Sequence, residues 1–381
     1  MKKVGITGVN GFVGTHLYNT LFMNKDFSIV AFQRDFFEDD SKMDDFVANC
    51  DVIVHLAGLN RSHDDEIIYK TNISLTLTLI ASLNRTKTKP HIIFASSTQE
   101  NLDNVYGKSK KAARLRLKDW SRLNDTIFTG LIIPNVFGPF GTPSYNSFIS
   151  TFSYQLINNE IPVIINDPEV NLIYIDELIS DIVNTIKSPI SNEYFQITQT
   201  STKRVSEVLE LLETFKNEYL DKGQIPRVEI NSFELNLFNT FRSYIPKTYF
   251  PRSFTKHIDV RGSFVEIVRA NTAGQSSYST TVPGITRGNH YHTRKVERFA
   301  IISGRASIQL RKVDSDEVIE YILDGEHPSY VDMPIWYTHN ITNIGHTELI
   351  TLFWINEPYN EKDSDTYFME VNCLEKDIDL I

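Results

Sequence analysis

The sequence predicts a doubly wound parallel α/β sheet in the first part of the chain and an all-β barrel in the last part. Three observations predict it. Apolar, strand-like runs alternate with stretches of helical period through roughly the first 200 residues. Several runs, DVIVHLAG at 51–58 above all, are apolar almost throughout, as required where both faces of a parallel sheet are covered. Beyond residue 257 no long helical period remains, and short β-like runs are separated by Gly, Pro, Asn and Asp. At 381 residues the chain is too long for one ordinary core, so two domains are expected.

Taken in order, VGITG (4–8) is a first strand and the stripe Phe12, Val13, Leu17, Leu21 and Phe22 marks a first helix. FSIVAFQR (27–34) and DVIVHLAG (51–58) are further strands. Residues 66–83 are helical, HIIFASS (91–97) is a strand, and 106–123, rich in Lys, Arg, Ala and Leu, is helical. Residues 126–138 form a strand running into a Pro/Asn/Gly loop. Looser signals follow: helix 146–159, strand 171–176, helix 177–187, strand 195–198 and helix 205–220, a substrate lobe in the expected organisation. Residues 223–256 read as irregular, aromatic and Pro-bearing. The expected domains are 1–245, a linker at 246–256, an all-β domain at 257–371 and an acidic tail at 372–381.

Composition excludes several classes. The net charge is −10, from 38 basic and 48 acidic residues, which argues against general nucleic-acid or anionic-membrane binding. The two cysteines, Cys50 and Cys373, are far apart and supply neither a disulfide framework nor a CxxC metal site. A reduced, cytoplasmic setting is expected. The N-terminal apolar run is short and leads straight into a glycine turn, so it reads as a strand and not a signal peptide. No stretch reaches the ~18 apolar residues of a membrane span.

The first domain carries two chemical signals. In VGITGVNGFVG, glycines fall at Gly8, Gly11 and Gly14 between a strand and a helix. Glycine permits a tight turn and a close backbone approach, and a helix N-terminus attracts an anion, so the stretch suits a pyrophosphate. The bland reading is a turn needed only for close packing. Arg34 stands twenty residues after Gly14, where an arginine meets the 2′-phosphate of NADP; Asp35 beside it would suit NAD. The second signal is Tyr106-Gly-Lys-Ser-Lys110. Tyr106 and Lys110 share a helix face, and a nearby cation is expected to lower the phenol's pKa. Ser97, at a strand end, could hydrogen-bond the same substrate oxygen, a constellation that suits a carbonyl reductase.

TGVNGFVG, HLAG at 55–58, Ser97 and Tyr106-xxx-Lys110 resemble the extended short-chain dehydrogenases/reductases that act on nucleotide sugars, with a Rossmann-type fold, over about 1–245. The resemblance implies that Ser97 and Tyr106 act on the sugar, and that Lys110 holds the nicotinamide ribose. It implies NADP(H) contacts at Gly8, Asn10, Gly11, Phe12, Val13, Gly14, Arg34, Leu56, Ala57, Gly58, Tyr106 and Lys110. PNVFG at 134–138 resembles the family's NxxG loop, with Asn135 in the substrate-binding position. Two departures inform the reaction. Thr98-Gln99 stands where dehydratases of the family carry Asp-Glu, which disfavours dehydration, and only nine residues separate Ser97 from Tyr106. The arginine that precedes the NxxG loop in the wider family is replaced by Ile132.

In the second domain, His290 and His292 are i, i+2 and share a strand face. Glu297 follows, and His339 lies in Pro334-xxxx-His339-xxx-Asn343. Three imidazoles and a carboxylate suit zinc or a similar divalent ion. The spacing resembles the two cupin motifs. The alternative is a barrel whose histidines hydrogen-bond in a pocket without metal. Asp259-Val-Arg261-Gly262 and Thr286-Arg287-Gly288-Asn289-His290 also resemble the cupin epimerases of 4-keto-6-deoxy nucleotide sugars. That likeness implies substrate contacts at Arg261 and Arg287, and makes His290 the base. It competes with the metal reading for His290.

The whole of 1–371 is similar to the bifunctional capsular-polysaccharide synthesis enzymes of bacteria such as staphylococci. The resemblance implies a UDP-sugar substrate: the cupin inverts carbon 3 of a UDP-4-keto-6-deoxy-HexNAc, and the N-terminal domain reduces the 4-ketone with NADPH to UDP-2-acetamido-2,6-dideoxy-L-talose. It also implies a homodimer through the cupins. Two alternatives stay open: a simple reductase whose cupin only dimerises, and a non-catalytic nucleotide sensor.

Overall fold

The structure, a computed structural model, describes residues 1–259, 262–265, 274–357 and 360–372. The chain divides into two compact units, residues 1–152 with 163–208, and residues 153–162 with 209–381. Compactness therefore groups 209–256 with the β-rich end of the chain.

The first unit is built on β1 (Lys2–Thr7), α1 (Phe12–Phe22), β2 (Phe27–Val30), α2 (Asp40–Ala48), β3 (Val52–His55), α3 (Asp65–Thr86), β4 (His91–Ser97), α4 (Val105–Leu123) and β5 (Phe128–Ile133). β6 (Asn135–Phe137), α5 (Phe148–Ile157), β7 (Glu169–Tyr174), α6 (Ile175–Lys187), β8 (Asn192–Gln196), β9 (Ser201–Arg204) and α7 (Val205–Phe215) follow, with α5 from Ser153 and α7 from Leu209 counted in the second unit. Six strands form one parallel sheet in the order β2-β1-β3-β4-β5-β8. β2 lies on one side of β1 and β3 on the other, so the order reverses at β1. In such sheets the crevice at the strands' carboxyl ends beside the reversal receives the ligand. β3 and β5 are buried at every position, which accounts for their uninterrupted apolar sequences. A core of Phe46, Val47, Leu79, Phe94, Leu117 and Phe128 joins the sheet to α2, α3 and α4.

Two expectations about this half change. The strand expected from 126 ends at Ile133, just before the Pro/Asn/Gly stretch, but that stretch is not all loop: β5 belongs to the main sheet, whereas β6 pairs with β7 in a separate sheet with β9. α2, which no periodicity announced, is short and mostly polar, but it buries Met43, Phe46 and Val47 and is capped by Asp39 through Ser41 and Lys42.

Within the second unit, α8 (Phe233–Arg242) lies inside the stretch read as irregular. Its last six residues, from Leu237 to Arg242, are all buried, so it shows no polar face for a helical pattern to reveal. β10 (Arg252–Ser253), β11 (Lys256–Asp259) and β12 (Gly262–Val265) follow. Then come β13 (Gln275–Thr281), β14 (Thr286–Tyr291), β15 (Glu297–Ser303), β16 (Arg305–Lys312), β17 (Val318–Asp324), β18 (Ser329–Met333), β19 (Tyr337–Asn343), β20 (Leu349–Ile355) and β21 (Tyr367–Phe368). Two five-stranded antiparallel sheets, β10-β18-β15-β20-β13 and β17-β16-β19-β14-β21, enclose Ile301, Ile308, Leu310, Val331, Met333 and Ile341. This is the cupin-like β domain the sequence led one to expect. Inside it, Arg298 is 2% exposed and forks onto Asp332 at 2.8 and 3.1 Å, donates to the Gly223 carbonyl at 3.1 Å, and lies over the Tyr330 ring. Tyr219 donates its hydroxyl to the same carboxylate. Tyr219 and Gly223, of the same unit, are thus fastened to the barrel by a buried charge network.

Candidate functional site

At the sheet's reversal, Gly8 turns with φ +77°, a conformation favouring glycine, and a Cβ there would stand 2.8 Å from the backbone nitrogen of Ala57. The glycine turn and the Leu56-Ala57-Gly58 loop therefore meet backbone to backbone. A Cβ on Gly14 would strike the Gly8 carbonyl oxygen at 2.2 Å, so Gly14 is required by packing alone. Gly11 differs. It caps α1 with ordinary extended φ and ψ, contributes no side-chain cap, and a Cβ there meets only the Gly8 oxygen, at 3.2 Å. No acidic residue lies in the first turn of α1. An uncapped helix start lined by backbone is a fit cradle for a dinucleotide pyrophosphate. Asn10 lies in the turn, and Phe12 and Val13 open α1.

Arg34 follows β2 and is exposed, with no ion pair to it among the described residues. Asp35 is held by Lys42 at 2.7 Å. The two neighbours are therefore not equivalent: the acid is occupied and the guanidinium is available for a phosphate.

The Ser–Tyr–Lys set is assembled by close packing of α4 on the turn after β4. Ser97 ends β4 and accepts from the Gln99 N–H at 3.2 Å. Asn104 caps α4 through the Gly107 N–H at 2.7 Å. A Cβ on Gly107 would meet the Gln99 carbonyl oxygen at 2.0 Å, so a glycine between Tyr106 and Lys110 brings the helix against the Ser97 turn. Beneath it, Glu100 accepts from Arg114 at 2.9 and 2.8 Å and from the Ser96 hydroxyl, all buried.

Burial sets the proton-transfer groups. It pushes Lys110 down to about 8, with Glu100 opposing, and the ammonium lies 4.5 Å from the Phe94 ring centroid. Burial and then Tyr145 push Tyr106 up to about 12. The expected lowering of Tyr106 by Lys110 is not what the structure shows: desolvation by burial dominates, and the phenol stays protonated at neutral pH.

Two supporting residues escaped sequence reasoning. Asn72, buried in α3, brackets Leu59 by accepting from its N–H at 2.7 Å and donating to its carbonyl at 3.0 Å, and donates to Ser109 at 2.8 Å. It ties the Leu56-Ala57-Gly58 loop to the helix of Lys110. Asn72 shares the buried side of α3 with Thr76 and Ser82, so no single polar residue stood out in the sequence. His55, fully buried, meets Thr7 at 2.6 Å across the β1–β3 pair, and burial, then Lys110, lowers it to about 3.

In the second unit His290, His292, Glu297 and His339 come together, their ligand atoms all within 4.8 Å of one another. The register explains how. His290 faces His339 across β14 and β19, after a bulge at Gly288 (φ +102°) and Asn289 (φ +57°). The His292 and His339 Nε2 atoms stand 3.1 and 3.2 Å from Glu297 Oε2. These three atoms are buried and otherwise lack hydrogen-bond partners, which fits a shared cation better than a closed polar pocket. His292 Nδ1 is directed at the Asp365 carbonyl and His339 Nδ1 at the Tyr337 carbonyl, leaving both Nε2 atoms toward the centre. Burial, then His339 and His292, lower His290 to about 4, so it is neutral at physiological pH. Burial alone would raise Glu297, but His292 and His339 hold it well below the usual carboxylate range.

Asn135 is exposed in β6, its amide on the Asn171 carbonyl at 3.3 Å, and Arg287 is exposed in β14. Arg261 lies outside the described residues.

A dinucleotide-type glycine turn beside a Ser–Tyr–Lys set defines a short-chain dehydrogenase/reductase, here continuous with a histidine-bearing cupin-like barrel. The chain belongs to the NAD dependent epimerase/dehydratase family, which it matches over residues 4–197, and residues 257–367 match the polysaccharide biosynthesis C-terminal domain. It is 32% identical over 376 residues, 97% of this chain and 99% of the relative, to the UDP-2-acetamido-2,6-beta-L-arabino-hexul-4-ose reductase of Pseudomonas aeruginosa. The crystal structure of the capsular polysaccharide assembling protein CapF from Staphylococcus aureus matches with a TM-score of 0.61 at 33% identity, covering 97% of this chain and 99% of that one. The spore coat polysaccharide biosynthesis protein SpsL of Bacillus subtilis is 27% identical over 124 residues, 30% of this chain and 82% of SpsL. Among the described residues no helix is long and apolar enough to cross a membrane.

Proposed function

We propose that the chain is a bifunctional nucleotide-sugar enzyme. The residues of 257–371 invert carbon 3 of a UDP-4-keto-6-deoxy-HexNAc, and those of 1–245 then reduce its 4-ketone with NADPH. The reductase reading is supported by the near end-to-end likeness to a relative named as a hexul-4-ose reductase. The observation that carries it is the packing of α4, with Tyr106 and Lys110 one turn apart on it, hard against the turn that follows Ser97.

NADPH, when bound, supplies the hydride that reduces carbon 4. Tyr106 gives its phenolic proton to the ketone oxygen, and Ser97 hydrogen-bonds that oxygen and orients it. Lys110 holds the ribose and supplies positive charge beside the phenol as the proton leaves. The outcome is one ketone reduced to an alcohol and one NADPH oxidised. Arg34 is assigned to the 2′-phosphate, and Asn135, Arg261 and Arg287 to the sugar nucleotide.

In the barrel, His290, His292, Glu297 and His339 would hold zinc or a similar divalent ion, which polarises a substrate oxygen. The reaction is proton removal at carbon 3 and return on the opposite face, with no net redox. The ketone acidifies that C–H, so inversion comes before reduction. The buried, unpartnered Nε2 atoms of His292 and His339 and Oε2 of Glu297 favour this over a barrel that only dimerises. A cytoplasmic homodimer, formed through the barrels, completes the reading; exposed Tyr278 and Val282, in and just after the edge strand β13, support an interface there.

The test is NADPH oxidation with a UDP-4-keto-6-deoxy-HexNAc. Tyr106→Phe should slow it by about 10²- to 10⁴-fold, the usual contribution of a positioned acid. Undiminished oxidation in that variant would sink the reductase assignment.

A further inference from the structure

The turn between His292 and Glu297 is folded around one residue from the far end of the chain. Asp365 is 3% exposed and left-handed, with φ +44°. Its carboxylate accepts from the Thr293 N–H at 3.1 Å and the Thr293 hydroxyl at 2.6 Å through one oxygen. The other oxygen accepts from the N–H groups of Arg294 and Lys295, both at 3.1 Å. Its backbone carbonyl faces His292 Nδ1 at 2.5 Å. The segment is held in place beyond this residue. β21 pairs with β14, setting Phe368 opposite His290 and Tyr367 opposite Tyr291, and the Lys295 ammonium donates to the Ser364 carbonyl at 2.6 Å.

One residue therefore governs two members of the cluster. The carbonyl engages the Nδ1 side of His292, which leaves Nε2 as the ligand atom. The carboxylate satisfies three of the four backbone N–H groups between His292 and Glu297, the fourth, that of Val296, going to Asn356 at 2.9 Å, and so it sets the distance between the two ligands. Without it the buried Lys295 N–H and the half-buried N–H groups of Thr293 and Arg294 lose their acceptor, and the turn must reopen for the first to find water.

We infer that Asp365 is a positioning residue for the His290–His292–Glu297–His339 centre, setting both the presentation of His292 and its spacing from Glu297. The inference rests on the metal reading of that centre given above.

The full-length protein tests it. Zinc affinity is measured by competition with a chromogenic chelator, and cobalt(II) absorption is recorded at saturating metal. Asp365→Gly removes the carboxylate while tolerating the left-handed backbone. It should weaken zinc binding by about 10- to 100-fold, the usual effect of losing an outer contact to a ligand. It should also alter the cobalt(II) spectrum, which reports ligand geometry and is not moved by a general loss of stability. Asp365→Asn, which keeps one accepting oxygen, should fall between it and wild type. Wild-type affinity and spectrum in Asp365→Gly would overturn the inference while leaving the metal reading intact. If wild type itself takes up no stoichiometric metal, the metal reading fails and this inference with it. Should Asp365→Gly not fold, Thr293→Val deletes the shortest side-chain contact to the carboxylate. It should lower zinc affinity several-fold, and wild-type affinity there would overturn the proposal.

Discussion

Two glycines of one turn should respond differently to the same added methyl group. At Gly8, alanine must adopt φ +77°, and its Cβ would sit 2.8 Å from the nitrogen and 2.9 Å from the Cα of Ala57. The left-handed backbone costs about 1–2 kcal/mol. Ordinary contact requires the Leu56-Ala57-Gly58 loop to withdraw by roughly half an ångström, an overpacking cost of about 1–3 kcal/mol. Gly8→Ala should therefore lose about 2–5 kcal/mol of stability and bind NADPH at least tenfold more weakly. At Gly11 the backbone is extended and the Cβ meets one carbonyl oxygen at 3.2 Å, so the fold can yield by a few tenths of an ångström. Gly11→Ala should melt within a few degrees of wild type and still lose NADPH affinity, because its methyl group would stand where the pyrophosphate approaches the start of α1. Thermal melts without ligand and fluorescence titrations with NADPH separate the two effects. If Gly11→Ala binds NADPH as wild type does, the turn is a packing device and not the cofactor cradle.

Other consequences are open to direct measurement. Tyr219→Phe removes the hydroxyl that Asp332 accepts from in a site with no exposure to water, and should cost about 1–3 kcal/mol in urea denaturation; an unchanged midpoint would mean Arg298 alone satisfies that carboxylate. His55 is held neutral in the fold at about 3, against about 6.5 unfolded, so the unfolded chain takes up a proton first as pH falls. Its contribution is fully present above pH ~6.5 and is lost progressively toward pH ~3, amounting to about 2 kcal/mol by pH 5. His55→Asn should flatten the pH dependence of the urea midpoint between pH 7 and 5; the same slope in both proteins would contradict the assignment.

The parts of the molecule that were legible in the sequence are those where one physical demand dictates residue type locally. The glycine turn, the i, i+4 Tyr106–Lys110 pair and the i, i+2 histidines each announce their geometry within a dozen residues. What stayed hidden depends on partners distant in sequence. α8 has no polar stripe because its C-terminal part is buried on every side, and α2 is a mostly polar helix whose few apolar residues find a core only in the folded sheet. The state of Tyr106 could not be read from its spacing to Lys110, since burial decides it and burial is a property of the assembled unit. Asp365, 73 residues from His292, sits in a polar stretch that carries no motif. The Ser97 turn is anchored by Glu100 and Arg114, which carry no motif at all.

If one chain runs both proposed reactions, inversion at carbon 3 must precede reduction at carbon 4. Full-length protein is given a UDP-4-keto-6-deoxy-HexNAc in D₂O, first without NADPH and then with it, and the sugar is read by NMR and mass spectrometry. The predicted result is one deuterium entering at carbon 3 before any reduction, followed by a reduced product that keeps that label and has the inverted configuration. NADPH consumption that yields a product with protium and unchanged configuration at carbon 3 would contradict it, leaving a simple reductase beside a barrel that does no chemistry.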